Sequence, residues 1–188
     1  MHINEMLVKY KEWNLLKIFL SNPDHAFYTK ELSRKTGIAS GTVNNFLRNI
    51  QKDDFLIKEI VGNVHLYRLN NELQIVKQLK IFNTILEFQQ NRLAEQLTKT
   101  ESSIISIILY GSHANGENDS KSDVDLLLIL NSKKNFTSVV QKIEEKIKKP
   151  ISIQMMNIAE WQVLKEKDKI FYESILINHI VLYGSELP

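Results

Sequence analysis

The sequence predicts an α+β chain of two domains joined by a long helix, and three observations predict it. The first third reads as helices followed by two strand-like runs, Phe55 to Val61 and Val64 to Leu69, joined by Gly62-Asn63. Residues 71–100 contain neither glycine nor proline, as one continuous helix would. The apolar runs Ile104 to Tyr110 and Val124 to Leu130 read as buried strands of a sheet with helices on it. The expected divisions are 1–70, 71–100 and 101–188.

In the first division a helix is expected from Tyr10 to Leu20, with Trp13, Leu16, Ile18, Phe19 and Leu20 apolar. Asn22-Pro23-Asp24 should stop it. Thr29 can N-cap a short second helix, Lys30 to Thr36, that ends at Gly37. Ser40 can cap a third helix running to about Lys52, where Val43, Phe46, Leu47 and Ile50 fall on one stripe. Its opposite face offers Thr42, Asn44, Asn45, Arg48 and Gln51. A two-residue turn with glycine first then makes the strand pair a hairpin.

This order of elements, over residues 8–70, resembles a winged helix-turn-helix domain of bacterial and archaeal transcription regulators. The resemblance implies double-stranded DNA as a partner, with the third helix in the major groove. Thr42, Asn44, Asn45 and Arg48 would then face bases, the asparagines suited to adenine and the arginine to guanine or a phosphate. Lys35, with Lys30, Arg34, Lys58 and His65, would touch backbone or minor groove. The other reading of the same face is a solvated surface on a module that contacts only proteins. Charge does not choose between them: residues 1–70 carry ten Lys or Arg against seven Asp or Glu.

The connecting helix should be about 40 Å long. Leu73, Val76, Leu79, Phe82, Leu86, Leu93 and Leu97 keep near-heptad spacing, broadened by Ile75, Ile81, Ile85 and Phe88. A stripe that broad suits packing against a domain, and it also allows a homodimer on two-fold DNA sites.

The richest stretch joins the two buried strands. Gly111-Ser112 ends the first, and Asp123-Val124-Asp125 opens the second. Residues i and i+2 of a strand face the same way, so Asp123 and Asp125 project together while Val124 points into the core. Paired carboxylates on a rigid strand suit Mg²⁺, which shares oxygen ligands with substrate phosphates. Gly111 permits a sharp turn and a close backbone approach, and a helix starting near Ser112 would present free N–H groups to an anion.

Gly111, Ser112, Ala114, Gly116, Ser122, Asp123, Asp125 and Leu126 together resemble the signature of the DNA polymerase β-like nucleotidyltransferase superfamily in its minimal form. The resemblance implies an α/β domain with a mixed sheet, a nucleoside triphosphate substrate, and Mg²⁺ or Mn²⁺ on catalytic Asp123 and Asp125. Gly111 and Ser112 would seat the β- and γ-phosphates. The acceptor hydroxyl could belong to a protein, an antibiotic, a nucleic-acid end or a metabolite. Two departures stand out. Asn115 occupies a position that is often basic in the family. The next strand, Ile151 to Met156, carries no acid where active members have a third carboxylate; Ser152 or Gln154 stands there, and Glu160 is the nearest acid downstream. An alternative function follows, in which an impaired domain senses a nucleotide or partner and so regulates transcription.

Phe136 to Lys149 should form an exposed basic helix, and Trp161 to Leu176 the last helix before a short strand, Ile180 to Tyr183. Gly184-Ser185 reads as a plain turn. His113 could reach a phosphate or be an exposed loop residue. With 43% hydrophobic residues the chain can build packed cores, and no apolar run approaches the roughly 20 residues that cross a bilayer. The absence of cysteine excludes disulfides, thiolate catalysis and Cys-ligated zinc. With Asn4, Glu5 and Lys9 near its start the chain lacks a signal-peptide core, and a cytoplasmic protein with no membrane association is expected.

Overall fold

The computed structural model describes residues 6–7, 9–132 and 134–187; Asn4 and Glu5 lie outside them. The chain is α+β and divides into two compact units, residues 1–83 and 84–188.

From Lys11 on, the first unit runs α1 (Lys11–Ser21), β1 (Phe27–Tyr28), α2 (Thr29–Thr36) and α3 (Ser40–Gln51). A hairpin follows, β2 (Leu56–Val61) and β3 (Val64–Leu69), and β1 joins it to give an antiparallel sheet in the order β1-β3-β2. Leu15, Phe19, Leu32, Val43, Leu47 and Leu69 are fully buried in its core. The apolar stripe of α3 therefore faces inward, and Thr42, Asn44, Asn45 and Arg48 are exposed on the other side.

Two capping expectations are corrected. Thr29 and Ser40 are the first residues of their helices rather than the caps, because the extended backbone that precedes each helix belongs to Tyr28 and Ala39. The Thr29 hydroxyl donates instead to Oδ1 of Asn44 at 2.7 Å, tying α2 to α3.

The single connecting helix is also corrected. Two helices occupy its span, α4 (Gln74–Gln90) and α5 (Leu93–Thr100), and the division between units falls within α4. Arg92 breaks the run by taking a left-handed conformation (φ 49°). Side chains close the gap: Asn91 donates to the Glu87 carbonyl at 2.8 Å and Gln96 to the Asn91 carbonyl at 2.6 Å.

In the second unit the elements run β4 (Ile104–Tyr110), α6 (Ser112–Asn115), β5 (Val124–Leu130), α7 (Thr137–Ile147), β6 (Ile151–Met156), α8 (Ile158–Lys167), α9 (Lys169–Ile177) and β7 (Ile180–Gly184). The sheet order is β6-β5-β4-β7. It is mixed, with β5 and β6 parallel and the β4–β5 and β4–β7 pairs antiparallel. Both faces are covered, which is why the central strands read as unbroken apolar runs. Val124, Leu126, Leu128 and Leu130 pack with Leu93, Leu97 and Ile143 on one face. Leu127 and Ile129 pack with Trp161 of α8 and Ile175 of α9 on the other.

The expected last helix is likewise two. Asp168 leaves the helical conformation (φ −144°) to end α8, and its carboxylate accepts from the Phe171 N–H at 3.0 Å to start α9. Gly184 belongs to β7 rather than to a plain turn. It lies at the β4 edge, where a side chain would collide with the Ile105 carbonyl, and Ser185 accepts from the Ser106 hydroxyl at 2.7 Å. Among the described residues no helix is long and apolar enough to cross a membrane.

Candidate active site

The two halves of the Gly-Ser and Asp-x-Asp motif meet at one end of the sheet. In the antiparallel ladder Tyr110 pairs with Asp125, so Gly111 follows directly beside the carboxylate. Gly111 adopts φ 70° and ψ −156°, a region open in practice only to glycine. A Cβ there would lie 2.5 Å from Oδ2 of Asp125, so the carboxylate occupies the space a side chain would fill. The turn leads into α6, where Ala114 and Asn115 N–H groups donate back to the Gly111 carbonyl.

Asp125 is half-buried on the sheet face covered by α8 and α9, while Val124 is 1% exposed in the opposite core. Burial first, and the neighbouring Asp123 charge second, push Asp125 above its ordinary pKa. Two like charges at one partly desolvated site are costly alone and favour a cation. The same environment pushes the Tyr110 hydroxyl up to about 12, through burial and then the Asp125 charge, so it is a neutral donor at physiological pH. Asp123 is exposed at the entrance to β5. Its loop is fixed by Asp119, which accepts from the Lys121 N–H at 2.8 Å and the Ser122 hydroxyl at 2.9 Å.

In the parallel ladder Ser152 pairs with Asp125 and Gln154 with Leu127. Ser152 thus stands beside the carboxylate and Gln154 one step further along, exposed. Glu160 sits in a capping box at the start of α8, its carboxylate accepting the Asn157 N–H at 2.9 Å. Among the described residues no group of three or more His, Cys, Asp or Glu is placed to hold a metal ion. Asp123 and Asp125 are a pair of carboxylates, and such a pair could hold a cation that completes its shell with substrate oxygens and water.

Both readings of His113 are corrected. It is 0% exposed, with Nδ1 3.0 Å from the Thr84 hydroxyl, because α6 turns it inward toward α4.

Beside the turn lies a cleft of about 490 Å³. Tyr110, Gly111, Ser112 and Asn115 form one side, with Glu117 beyond α6. Ser174, Ile177 and Asn178, at the end of α9, form the other. Sequence reasoning missed Tyr110, Glu117 and the α9 residues. Strand alternation could have found Tyr110, since it shares a face with Asp125, but no local pattern marks the end of α9.

The profile of the family described as Polymerase beta, Nucleotidyltransferase matches residues 91–185. No curated protein matches the chain. Among solved structures, a toxin–antitoxin crystal structure with AMP-PNP is 14% identical, with a TM-score of 0.38, over 51% of this chain and 73% of that one. A protein described as a possible transcriptional regulator from Methanosarcina mazei Go1 is 22% identical, with a TM-score of 0.32, over 53% of this chain and 85% of that one.

Proposed function

This chain belongs to the polymerase beta nucleotidyltransferase family, and from that premise we propose that it transfers a nucleoside monophosphate from a metal-bound nucleoside triphosphate to a hydroxyl acceptor. The observation that carries the proposal is the Asp125 carboxylate packed against Gly111, with the Asp123 charge beside it. Asp123 and Asp125 would hold Mg²⁺ or Mn²⁺. When bound, such a cation neutralises triphosphate charge and polarises the reacting phosphorus.

The chain's own groups have separate tasks. Gly111, lacking a side chain, leaves the Asp125 carboxylate its place beside the turn, and the Ser112 hydroxyl can donate to a phosphate oxygen. The acceptor oxygen forms its bond to the α-phosphorus as the bond to the bridging oxygen breaks and pyrophosphate leaves. The acceptor proton passes to solvent water, because Ser152, beside Asp125, is a poor base at neutral pH.

We further propose that residues 1–70 form a winged helix that binds double-stranded DNA, tying the transferase to transcription regulation. The exposed polar face of α3 supports this, as does the Thr29–Asn44 bond that fixes α3 against α2. Lys35 and Lys30 are exposed beside it.

A second reading has the domain bind a nucleotide without transferring it, as a sensor controlling the DNA-binding unit. Ser152 in place of a carboxylate favours it. One experiment separates the two: incubation with α-labelled NTPs, Mg²⁺ and duplex DNA, following pyrophosphate release and label on protein or DNA. Turnover that disappears in Asp125→Asn supports the transferase. Mg²⁺-NTP binding without pyrophosphate release, for all four NTPs, supports the sensor.

A further inference from the structure

We propose that the acceptor carries a phosphate beside its reacting hydroxyl, as a nucleic-acid 3′ end or a phosphorylated metabolite does, and that Lys148, at the corner between α7 and β6, pairs with that phosphate. The inference rests on the transferase reading and names the acceptor class that this reading leaves open.

The order of the strands decides from which side the acceptor arrives. β5 lies between β4 and β6, and Asp125 has Tyr110 of β4 on one side and Ser152 of β6 on the other. Because β4 runs antiparallel to β5 and β6 parallel to it, the end of β4 and the starts of β5 and β6 share one end of the sheet. Asp123 and Asp125 are therefore flanked by the Gly111-Ser112 turn toward β4 and by the α7–β6 corner toward β6. In phosphoryl transfer the attacking and leaving oxygens lie roughly in line through phosphorus. With the β- and γ-phosphates at the Gly111-Ser112 turn, pyrophosphate leaves toward β4 and the acceptor comes from the β6 side. Its oxygen bonds to the α-phosphorus, the bridging bond breaks with its electrons going to pyrophosphate, and the proton goes to water.

The corner on that side reads Lys148-Lys149-Pro150. The Val124 N–H donates to the Pro150 carbonyl at 2.9 Å, which sets the corner beside Asp123. Lys148 is exposed and ends α7 in a left-handed conformation (φ 56°). It precedes Pro150 by two residues, at most about 7 Å of chain. Glu144 holds the corner at both ends. Its carbonyl accepts from the Lys148 N–H at 2.6 Å, and its carboxylate accepts from the Ile151 N–H at 2.7 Å. An ammonium donates and accepts nothing, so Lys148 suits phosphate oxygens and repels a cationic acceptor. A phosphate ester places its charge a few bonds from the reacting hydroxyl, which matches a cation one corner away from the Asp123-Asp125 pair.

The test uses the full chain, Mg²⁺, α-labelled NTPs and a set of acceptors. These are a single-stranded trinucleotide with a free 3′ hydroxyl, a sugar phosphate, a nucleoside without phosphate and an acidic serine peptide. Lys148→Gly removes the charge at a backbone conformation that glycine takes readily, and Lys148→Glu reverses it; thermal melts verify that both variants are folded. Label should pass to the trinucleotide or the sugar phosphate, and the one that accepts it identifies the source of the phosphate. Both variants should raise KM for that acceptor by about tenfold or more and flatten its salt dependence by about one unit of slope. Calorimetric Mg²⁺-NTP affinity should stay unchanged. Transfer to the nucleoside or the peptide as readily as to the phosphate-bearing acceptors overturns the inference. So does a loss of Mg²⁺-NTP affinity with acceptor KM unchanged, which gives Lys148 to the triphosphate. A change in melting temperature alone also overturns it, by leaving Lys148 to the C-terminus of α7. If the parent binds Mg²⁺-NTP but labels none of the acceptors, the transferase reading fails and takes the inference with it.

Discussion

A methyl group on Gly111 would lie 2.5 Å from Oδ2 of Asp125, so the turn and the carboxylate share one space. Gly111→Ala must therefore displace Asp125 as well as strain the backbone, at a cost of roughly 1–3 kcal/mol for the strain alone. A lower melting temperature and weaker Mg²⁺-NTP binding should appear together. Gly37→Ala is the control. Its φ is also 70°, but nothing lies within 4 Å of the added carbon, so only stability should fall.

Ser152 pairs with Asp125 while Gln154 pairs with Leu127, one step further from the motif. Ser152→Asp should therefore raise transfer, and Gln154→Asp should do less. A well-placed general base contributes about 10²–10⁴-fold, which sets the ceiling on the gain. Steady-state rates at saturating NTP test this. An equal gain from both substitutions, or a gain only from Gln154→Asp, contradicts the register argument.

How much of this was legible in the sequence depended on whether the cause was local. The meeting of Gly111 with Asp125 was legible because one apolar run ends on Gly-Ser and the next opens on Asp-x-Asp, and adjacent runs of that kind pair; Asp123, expected on the same strand, lies just before it. It also led to the family that the profile match establishes. The break at Arg92 was not legible, since neither glycine nor proline marks it and Asn91 and Gln96 hold it with side-chain bonds. The break at Asp168 left a faint signal, a capping residue inside an apolar run. His113 could not be placed, because its partner Thr84 lies 29 residues away. The cleft wall at Ile177 and Asn178 depends on how α9 packs, which no short pattern encodes.

Glu101 gives the second unit a pH dependence. Its carboxylate accepts from the Ser103 N–H at 2.8 Å and the Ser132 hydroxyl at 3.1 Å, with Lys134 at 3.3 Å, and is held down to about 2 chiefly by the Ser103 backbone bond. A depressed folded pKa contributes stability that is present above the unfolded value and lost as pH falls through the folded one. Melting temperature should decline between about pH 4.5 and pH 2. Glu101→Gln should flatten that part of the profile and lower stability at neutral pH. A parallel decline in the variant would assign the loss to other groups.

On DNA, Arg48→Ala should weaken the preferred site by about 1–3 kcal/mol if the arginine reads a base. Lys35→Ala should weaken all duplexes alike and flatten the salt dependence. Thr29→Val should act through Asn44, whose Oδ1 loses its 2.7 Å donor, and so alter specificity more than overall affinity. Fluorescence titrations against duplex panels at two salt concentrations separate these effects. Salt-independent binding, or none, leaves residues 1–70 as a protein-contact module.

Calorimetry of Mg²⁺-NTP binding to the parent and to Asp123→Asn/Asp125→Asn tests the central claim most directly. Burial and the Asp123 charge disfavour ionised Asp125, so the neutral variant should melt no lower than the parent and lost binding cannot be blamed on unfolding. The account predicts that the Mg²⁺-dependent part of NTP affinity disappears in the double variant while the protein stays folded. Equal Mg²⁺-NTP affinity in the two proteins would contradict it.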